Sequence, residues 1–208
     1  KNSSQSSLGI AHTRWATHGA VTVPNTHPHV SHDGKFVMVH NGVIENFGAL
    51  KHFLTGKGIK FNSETDSEVL CNLIAYNYAE LLNEKDRLIV AVRIALSQCR
   101  GAYGIAVLCL DHPETMIGAR RGSPLVVGLG DDANFIASDA SAFVGRAKEA
   151  VFLNDGELAI LRGTDFRITT LEGQEAKAVA HPVDQISEEV EIGDFDSFME
   201  KEIYEQPT

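Results

Sequence analysis

The sequence predicts an α+β domain built on antiparallel sheets, and three observations carry that prediction. Two segments with helical apolar spacing are grouped together between residues 65 and 98. A run of short apolar segments follows, separated by Gly, Pro, Asn and Asp, as hairpin-linked strands require. One of those segments, Ala102–Leu110, is apolar at nearly every position, so its sheet should be covered on both faces.

Taken in chain order, Leu8–Arg14 and Lys35–His40 read as strands, the second opened by the turn pair Asp33-Gly34. Between them Ala16 to His32 is rich in Pro, His and Thr and shows no period. Asn46–Thr55 has helical spacing, with Asn46 at its cap and Gly56 and Gly58 beyond its end. The next helix opens at Thr65-Asp66-Ser67-Glu68, a capping box in which the Thr hydroxyl and the Glu carboxylate each satisfy a backbone N–H of the other residue. Val69, Leu70, Leu73, Ile74, Tyr78 and Leu81 then line one face. Asp86–Gln98 repeats the pattern with Leu88, Val92, Ala95 and Leu96.

Strands are expected at Ala102–Leu110, Thr115–Ala119, Pro124–Gly128 and Phe135–Ser138, with a short helix over Ala140–Ala147. Asn154-Asp155-Gly156 reads as a hairpin turn between Ala150–Leu153 and Glu157–Leu161, and Glu172-Gly173 as the turn after Phe166–Thr170. Residues 1–183 form one domain on this reading, and 184–208 an acidic tail and linker.

The 208 residues suffice for one full-sized domain, which buries roughly 70% of its unfolded surface. A formal charge of −10 argues against nucleic acid and anionic membranes as partners, since both select clustered Lys and Arg. No apolar stretch is long enough to span a bilayer, and the Ser-rich start lacks the apolar core of a signal peptide. Cys71, Cys99 and Cys109 sit among apolar neighbours without disulfide or zinc spacing, which places the chain in the cytoplasm. Seven of the nine histidines fall between His12 and His52, but no Cys or carboxylate joins them at ligand spacing, so no metal site is expected.

Three segments could carry chemistry. His12-Thr13-Arg14-Trp15-Ala16-Thr17-His18-Gly19 offers an Arg, whose planar fork suits a carboxylate, beside an indole, a hydroxyl and an imidazole. A surface Arg next to a core Trp would look the same. His40-Asn41-Gly42 reads either as a tight turn or as an oxyanion hole, the Asn amide and the Gly N–H being the two donors. Asp66 lies in a first helical turn, where the dipole favours its charge. It could seat a ligand ammonium or merely start the helix. Together these pieces would hold a zwitterionic amino acid and stabilise a tetrahedral intermediate at its side-chain amide.

The segments HTRWATHG (12–19), VHNGVIEN (39–46), SETDSE (63–68), RGAYG (100–104), GSPLVVGLG (122–130) and EKEIYEQP (200–207) resemble the glutaminase domain of the glutamine–fructose-6-phosphate aminotransferase family, also called glucosamine-6-phosphate synthase. The related amidophosphoribosyltransferase domain usually carries Tyr-Ser at Trp15-Ala16 and lacks the last segment. The resemblance implies an N-terminal nucleophile hydrolase fold, a four-layer αββα sandwich of two antiparallel sheets between helical layers. It implies that Arg14 and Asp66 grip the α-carboxylate and α-ammonium of glutamine, with Thr17 and His18 assisting. Asn41 and Gly42 take the place of the oxyanion pair, and Trp15 that of the gate to an ammonia channel. No cofactor is implied. The full-length enzyme is expected to be a homo-oligomer whose isomerase domain, absent here, binds fructose 6-phosphate.

One departure stands out. The family's nucleophile is an N-terminal Cys activated by its own α-amino group, whereas this sequence opens on Lys1. Cys71 falls inside a predicted helix, Cys99 near the end of another and Cys109 in a predicted strand, and none can replace it. The fold is therefore expected to lack its N-terminal part, and these residues by themselves to be inactive. Two other readings stay open: the glutaminase domain of another class II amidotransferase, and a non-catalytic module that binds glutamine or another amino acid.

Overall fold

The computed structural model describes residues 7–14, 19–183, 199, 200 and 204. Among these residues, ten strands form two antiparallel sheets. The larger contains β1 (His29–Val30), β2 (Phe36–Ile44), β3 (Gly101–Cys109), β4 (Thr115–Arg121), β8 (Glu157–Arg162) and β9 (Asp165–Thr170), in that spatial order. The smaller is ordered β10 (Ala180–Pro182), β7 (Glu149–Phe152), β5 (Val126–Leu129) and β6 (Asn134–Ala137). Helices α1 (Phe47–Gly56), α2 (Asp66–Glu80) and α3 (Arg87–Gln98) cover one face of the larger sheet.

Period-two alternation along the strands explains the layering. In β8, Leu158 and Ile160 enter the core beneath the helices, while Ala159 and Leu161 face the smaller sheet. In β4, Ile117 faces the helices and Met116 the other sheet. In β5, Leu125 before the strand and Val127 point into the inter-sheet core, whereas Val126 turns outward to Phe143 and Val183. Doubly apolar strands are thus the signature of a sheet buried on both sides. Helix, sheet and sheet supply three of the four expected layers. Among the described residues, the outer face of the smaller sheet is covered by the 3-10 turn Ala140–Phe143 in place of a helix.

The structure corrects several local expectations. Leu8–Arg14 joins no ladder: Leu8 and Ile10 pack against the inter-sheet core. Strand β2 does not end at His40 but runs through Asn41-Gly42 to Ile44, paired with β3 throughout. Asn154-Asp155-Gly156 is a turn, but it joins β7 in one sheet to β8 in the other rather than closing a hairpin. Asp155 anchors this crossover by accepting from Gly122 N at 2.9 Å and Arg120 Nε at 3.2 Å. The expected helix over Ala140–Ala147 is confined to its 3-10 start.

Helix α2 has Thr65 at its cap as expected, with the Glu68 N–H donated to Thr65 Oγ1 at 3.2 Å. The reciprocal half of the box is replaced: Glu68 accepts from Asn62 N and Ser63 N at 2.8 and 2.6 Å, fastening the preceding loop. Asn46 precedes α1 without capping it through its side chain. Its amide bridges Gln98 O and Arg100 N, tying α1 to the start of β3. The acidic segment expected over 184–208 falls outside the described residues, apart from Met199, Glu200 and Tyr204.

Candidate active site

Beyond Met38, β1 no longer accompanies β2, and side chains take over its outer edge. The N–H of His40 is donated to His27 Nδ1 at 3.3 Å, and that of Ile44 to Asp66 Oδ2 at 2.8 Å. The β2–β3 register is fixed by Glu45 N to Arg100 O and Leu110 N to Lys35 O. Ladder alternation assigns the Gly42 N–H to the same outer edge, between these two anchors.

Gly42 has φ +119°, and a Cβ there would lie 2.3 Å from the Ala102 carbonyl oxygen. Gly101, two ladder positions away, has φ +106° and would meet Val43 O at 2.2 Å. Any larger residue would force β2 and β3 apart at this point, so glycine is a backbone requirement here. Asn-Gly is therefore a distorted stretch of strand, not a reversal.

Asn41, on the opposite face from the helices, lines a cleft of about 440 Å³ between the two sheets. His12, Thr13, Gly104, Ile136 and Ser138 contribute to its walls. His12 Nε2 lies 2.7 Å from Asn41 Oδ1. Nothing in the spacing of the two residues announces this contact; the one sequence signal is an imidazole directly after the apolar Leu8–Ala11 approach.

Arg14 donates through Nη1 and Nη2 to the carbonyls of Ala20 and Gly19, at 3.1 and 3.3 Å. Asp66 is buried at the first position of α2, its Oδ1 accepting from Ser67 N at 3.0 Å. Asn25, which sequence reasoning passed over, connects these segments. Its Nδ2 donates to Ala20 O at 3.0 Å and Glu64 Oε2 at 3.3 Å, while its Oδ1 accepts from Glu64 N at 3.0 Å. One buried amide thus fastens the loop that Arg14 holds to the residues just ahead of Asp66. Trp15, Thr17 and His18 lie outside the described residues.

His12, His27 and His29 pack against one another beside the cleft. His27 stacks on His12 with ring centroids 4.2 Å apart and meets His29 edge-on at 4.8 Å. Burial, reinforced by the neighbouring His12, His29 and His40, pulls the His27 pKa down to about 3. His29, hydrogen-bonded to Thr65 Oγ1 at 3.1 Å, is also lowered, chiefly by burial and against the pull of Glu68 and Asp66. No group of three or more His, Cys, Asp or Glu among the described residues is arranged to hold a metal ion. No helix among them is long and apolar enough to cross a membrane.

All three cysteines are buried and free. Burial pushes the Cys71 thiol well above its ordinary range, the Cys99 thiol up to about 12, and the Cys109 thiol upward as well. None lines the cleft beside Asn41.

Residues 2–161 match the family model described as a glutamine amidotransferase domain. The chain belongs to that family. The glutamine amidotransferase domain is 46% identical over 203 residues to the glutamine–fructose-6-phosphate aminotransferase (isomerizing) of Thermus thermophilus, covering 98% of this chain and 32% of that protein. The enzyme of the same name from Bacteroides thetaiotaomicron is 46% identical over 201 residues, covering 96% of this chain and 32% of the relative. The chain thus spans about a third of the length of these relatives, and the resemblance to their glutaminase domain holds.

Among solved structures, glutamine phosphoribosylpyrophosphate amidotransferase from B. subtilis superposes with a TM-score of 0.60 at 27% identity, over 77% of this chain and 34% of that one. A second structure, described as the allosteric regulatory enzyme of purine biosynthesis, gives a TM-score of 0.61 at the same 27% identity and the same coverage. The amidotransferase domain therefore has the antiparallel α+β fold of the N-terminal nucleophile hydrolases.

Proposed function

We propose that this domain hydrolyses glutamine to glutamate and ammonia, and that the whole protein passes the ammonia to fructose 6-phosphate to give glucosamine 6-phosphate. The observation that carries the reading is Asn41 on the wall of the inter-sheet cleft, followed by a Gly42 whose backbone admits no side chain. Attack of a thiolate on the glutamine carboxamide carbon puts negative charge on its oxygen. The Asn41 Nδ2 amide and the Gly42 N–H would stabilise that charge. Collapse releases ammonia and leaves a thioester, which water cleaves to glutamate.

The substrate's α-carboxylate would be held by the Arg14 fork and its α-ammonium by Asp66, with Thr17 and His18 assisting and Trp15 gating the ammonia channel. The thiolate would come from an N-terminal Cys, as the family likeness implies; burial and raised thiol pKa values speak against Cys71, Cys99 and Cys109 in that role. Residues 1–183 would make up the amidotransferase unit and 184–208 lead out of it. Three free thiols and the absence of clustered basic charge agree with a cytoplasmic protein whose partners are small polar substrates.

The test is to incubate the full-length protein with glutamine and fructose 6-phosphate. Glutamate and glucosamine 6-phosphate should appear in equal amounts. Glutamate without the amino sugar would assign a different ammonia acceptor, and glutamine binding without turnover would make the domain a non-catalytic binding module.

A further inference from the structure

We propose that His12 is a positioning residue that fixes the orientation of the Asn41 carboxamide, with the His27 ring as the platform beneath it. The inference rests on the reading of Asn41 as an oxyanion donor. A carboxamide has two arms of nearly equal shape and opposite chemistry, and only one orientation turns a donor toward the developing oxyanion. A cleft-facing Asn left to itself would sample both. His12 Nε2, 2.7 Å from Asn41 Oδ1, removes that freedom by occupying the acceptor arm.

The tautomer follows from the other ring nitrogen. His12 Nδ1 is buried and makes no hydrogen bond. Were the proton on Nδ1, a buried donor would be orphaned, the rarer and costlier of the two kinds of unmet group. The proton therefore sits on Nε2, which donates, and Nδ1 is left as a bare lone pair. The same argument fixes the amide, because an Nε2–H facing an Asn41 Nδ2 would set donor against donor.

The ring is itself held. His27 lies against it with centroids 4.2 Å apart and planes inclined by 28°. The azimuth of His27 is set by the His40 N–H that its Nδ1 accepts at 3.3 Å, and by the edge of His29. His40 directly precedes Asn41 on β2, so the platform is anchored one residue from the group it serves. This gives the His27-Pro28-His29 segment a role that neither the substrate clamp nor the oxyanion pair requires.

The test is a double-mutant cycle on glutaminase kinetics in the full-length protein. His12→Phe keeps a flat ring for the stack but cannot donate, while His12→Gln places an amide N–H near the position of Nε2. His12→Phe should lower kcat roughly 10–100-fold, less than the loss of the donor itself, with little change in the KM for glutamine. His12→Gln should recover most of that loss. In an Asn41→Ala background His12→Phe should cost nothing more, because its effect runs through Asn41. Should His12→Phe fail to fold, His12→Ala read in the same cycle decides.

Additive losses in the double variant, or normal kcat in His12→Phe beside an impaired Asn41→Ala, would overturn the positioning role and leave the oxyanion reading intact. Normal kcat in Asn41→Ala would overturn both.

Discussion

Asp66 Oδ2 accepts the backbone N–H of Ile44 at 2.8 Å, so the carboxylate proposed to hold the substrate ammonium also completes the outer edge of β2. Its Oδ1 accepts from Ser67 N. A carboxamide in place of this carboxylate could satisfy one of these donors but would turn its own NH2 against the other. Asp66→Asn should therefore cost stability, about 1–3 kcal/mol, as well as raise the KM for glutamine. Urea unfolding checks the first effect and steady-state kinetics the second. Full stability with a raised KM would show that the Ile44 contact is dispensable.

Arg14 should be intolerant of Lys. An ammonium cannot reproduce a planar fork that reaches the Gly19 and Ala20 carbonyls and is proposed to meet a carboxylate as well. Arg14→Lys in the full-length protein should raise the KM for glutamine by roughly 10-fold or more, since one charge-assisted hydrogen bond contributes about 1.5–3 kcal/mol. An unchanged KM would remove Arg14 from the clamp.

Glycines with positive φ should separate by their surroundings. Gly42 and Gly34 both have positive φ, but a Cβ at Gly34 meets nothing within 4 Å, whereas at Gly42 it strikes backbone. Gly34→Ala should cost about 1–2 kcal/mol, the strain of the left-handed region alone. Gly42→Ala should cost more and abolish activity, because β2 and β3 must part to admit the methyl group. Thermal unfolding of the two variants side by side reads the difference.

Acid should weaken the domain through its histidines. In the unfolded chain His27 binds a proton near its ordinary 6.5, but in the fold not until about pH 3. Across that window the unfolded state holds more protons. The stabilisation is therefore whole above pH 6.5 and declines as pH falls toward 3. His29 is shifted in the same direction. Urea midpoints should fall from neutral to acid pH, and His27→Gln should reduce that dependence. An undiminished dependence in His27→Gln would contradict the assignment.

How much of this was legible beforehand depended on the range of the interaction. Thr65 was readable as a cap because a hydroxyl and an N–H three residues on meet within one turn. The doubly apolar Ala102–Leu110 segment was readable because alternation is a local property of the chain. The course of β2 through Asn41-Gly42 was not, since Gly42 adopts φ +119° to clear the Ala102 carbonyl of a strand about sixty residues away. The turn at Asn154–Gly156 was visible, but its partners were chosen by sheets that pair over long range. At the site, the candidates Arg14, Asn41, Gly42 and Asp66 were chosen by residue type and family likeness. Asn25 and His12 were missed because each acts on a residue 39 or 29 positions away.

The most direct test of the account is the glutaminase activity of the full-length protein carrying Asn41→Ala. Charge on the amide oxygen develops only as the thiolate attacks, so the lost donor should lower kcat by roughly 10²–10³-fold and leave the KM for glutamine nearly unchanged. A kcat within about twofold of the wild-type value, a difference of only some 0.4 kcal/mol, would show that Asn41 takes no part in the chemistry.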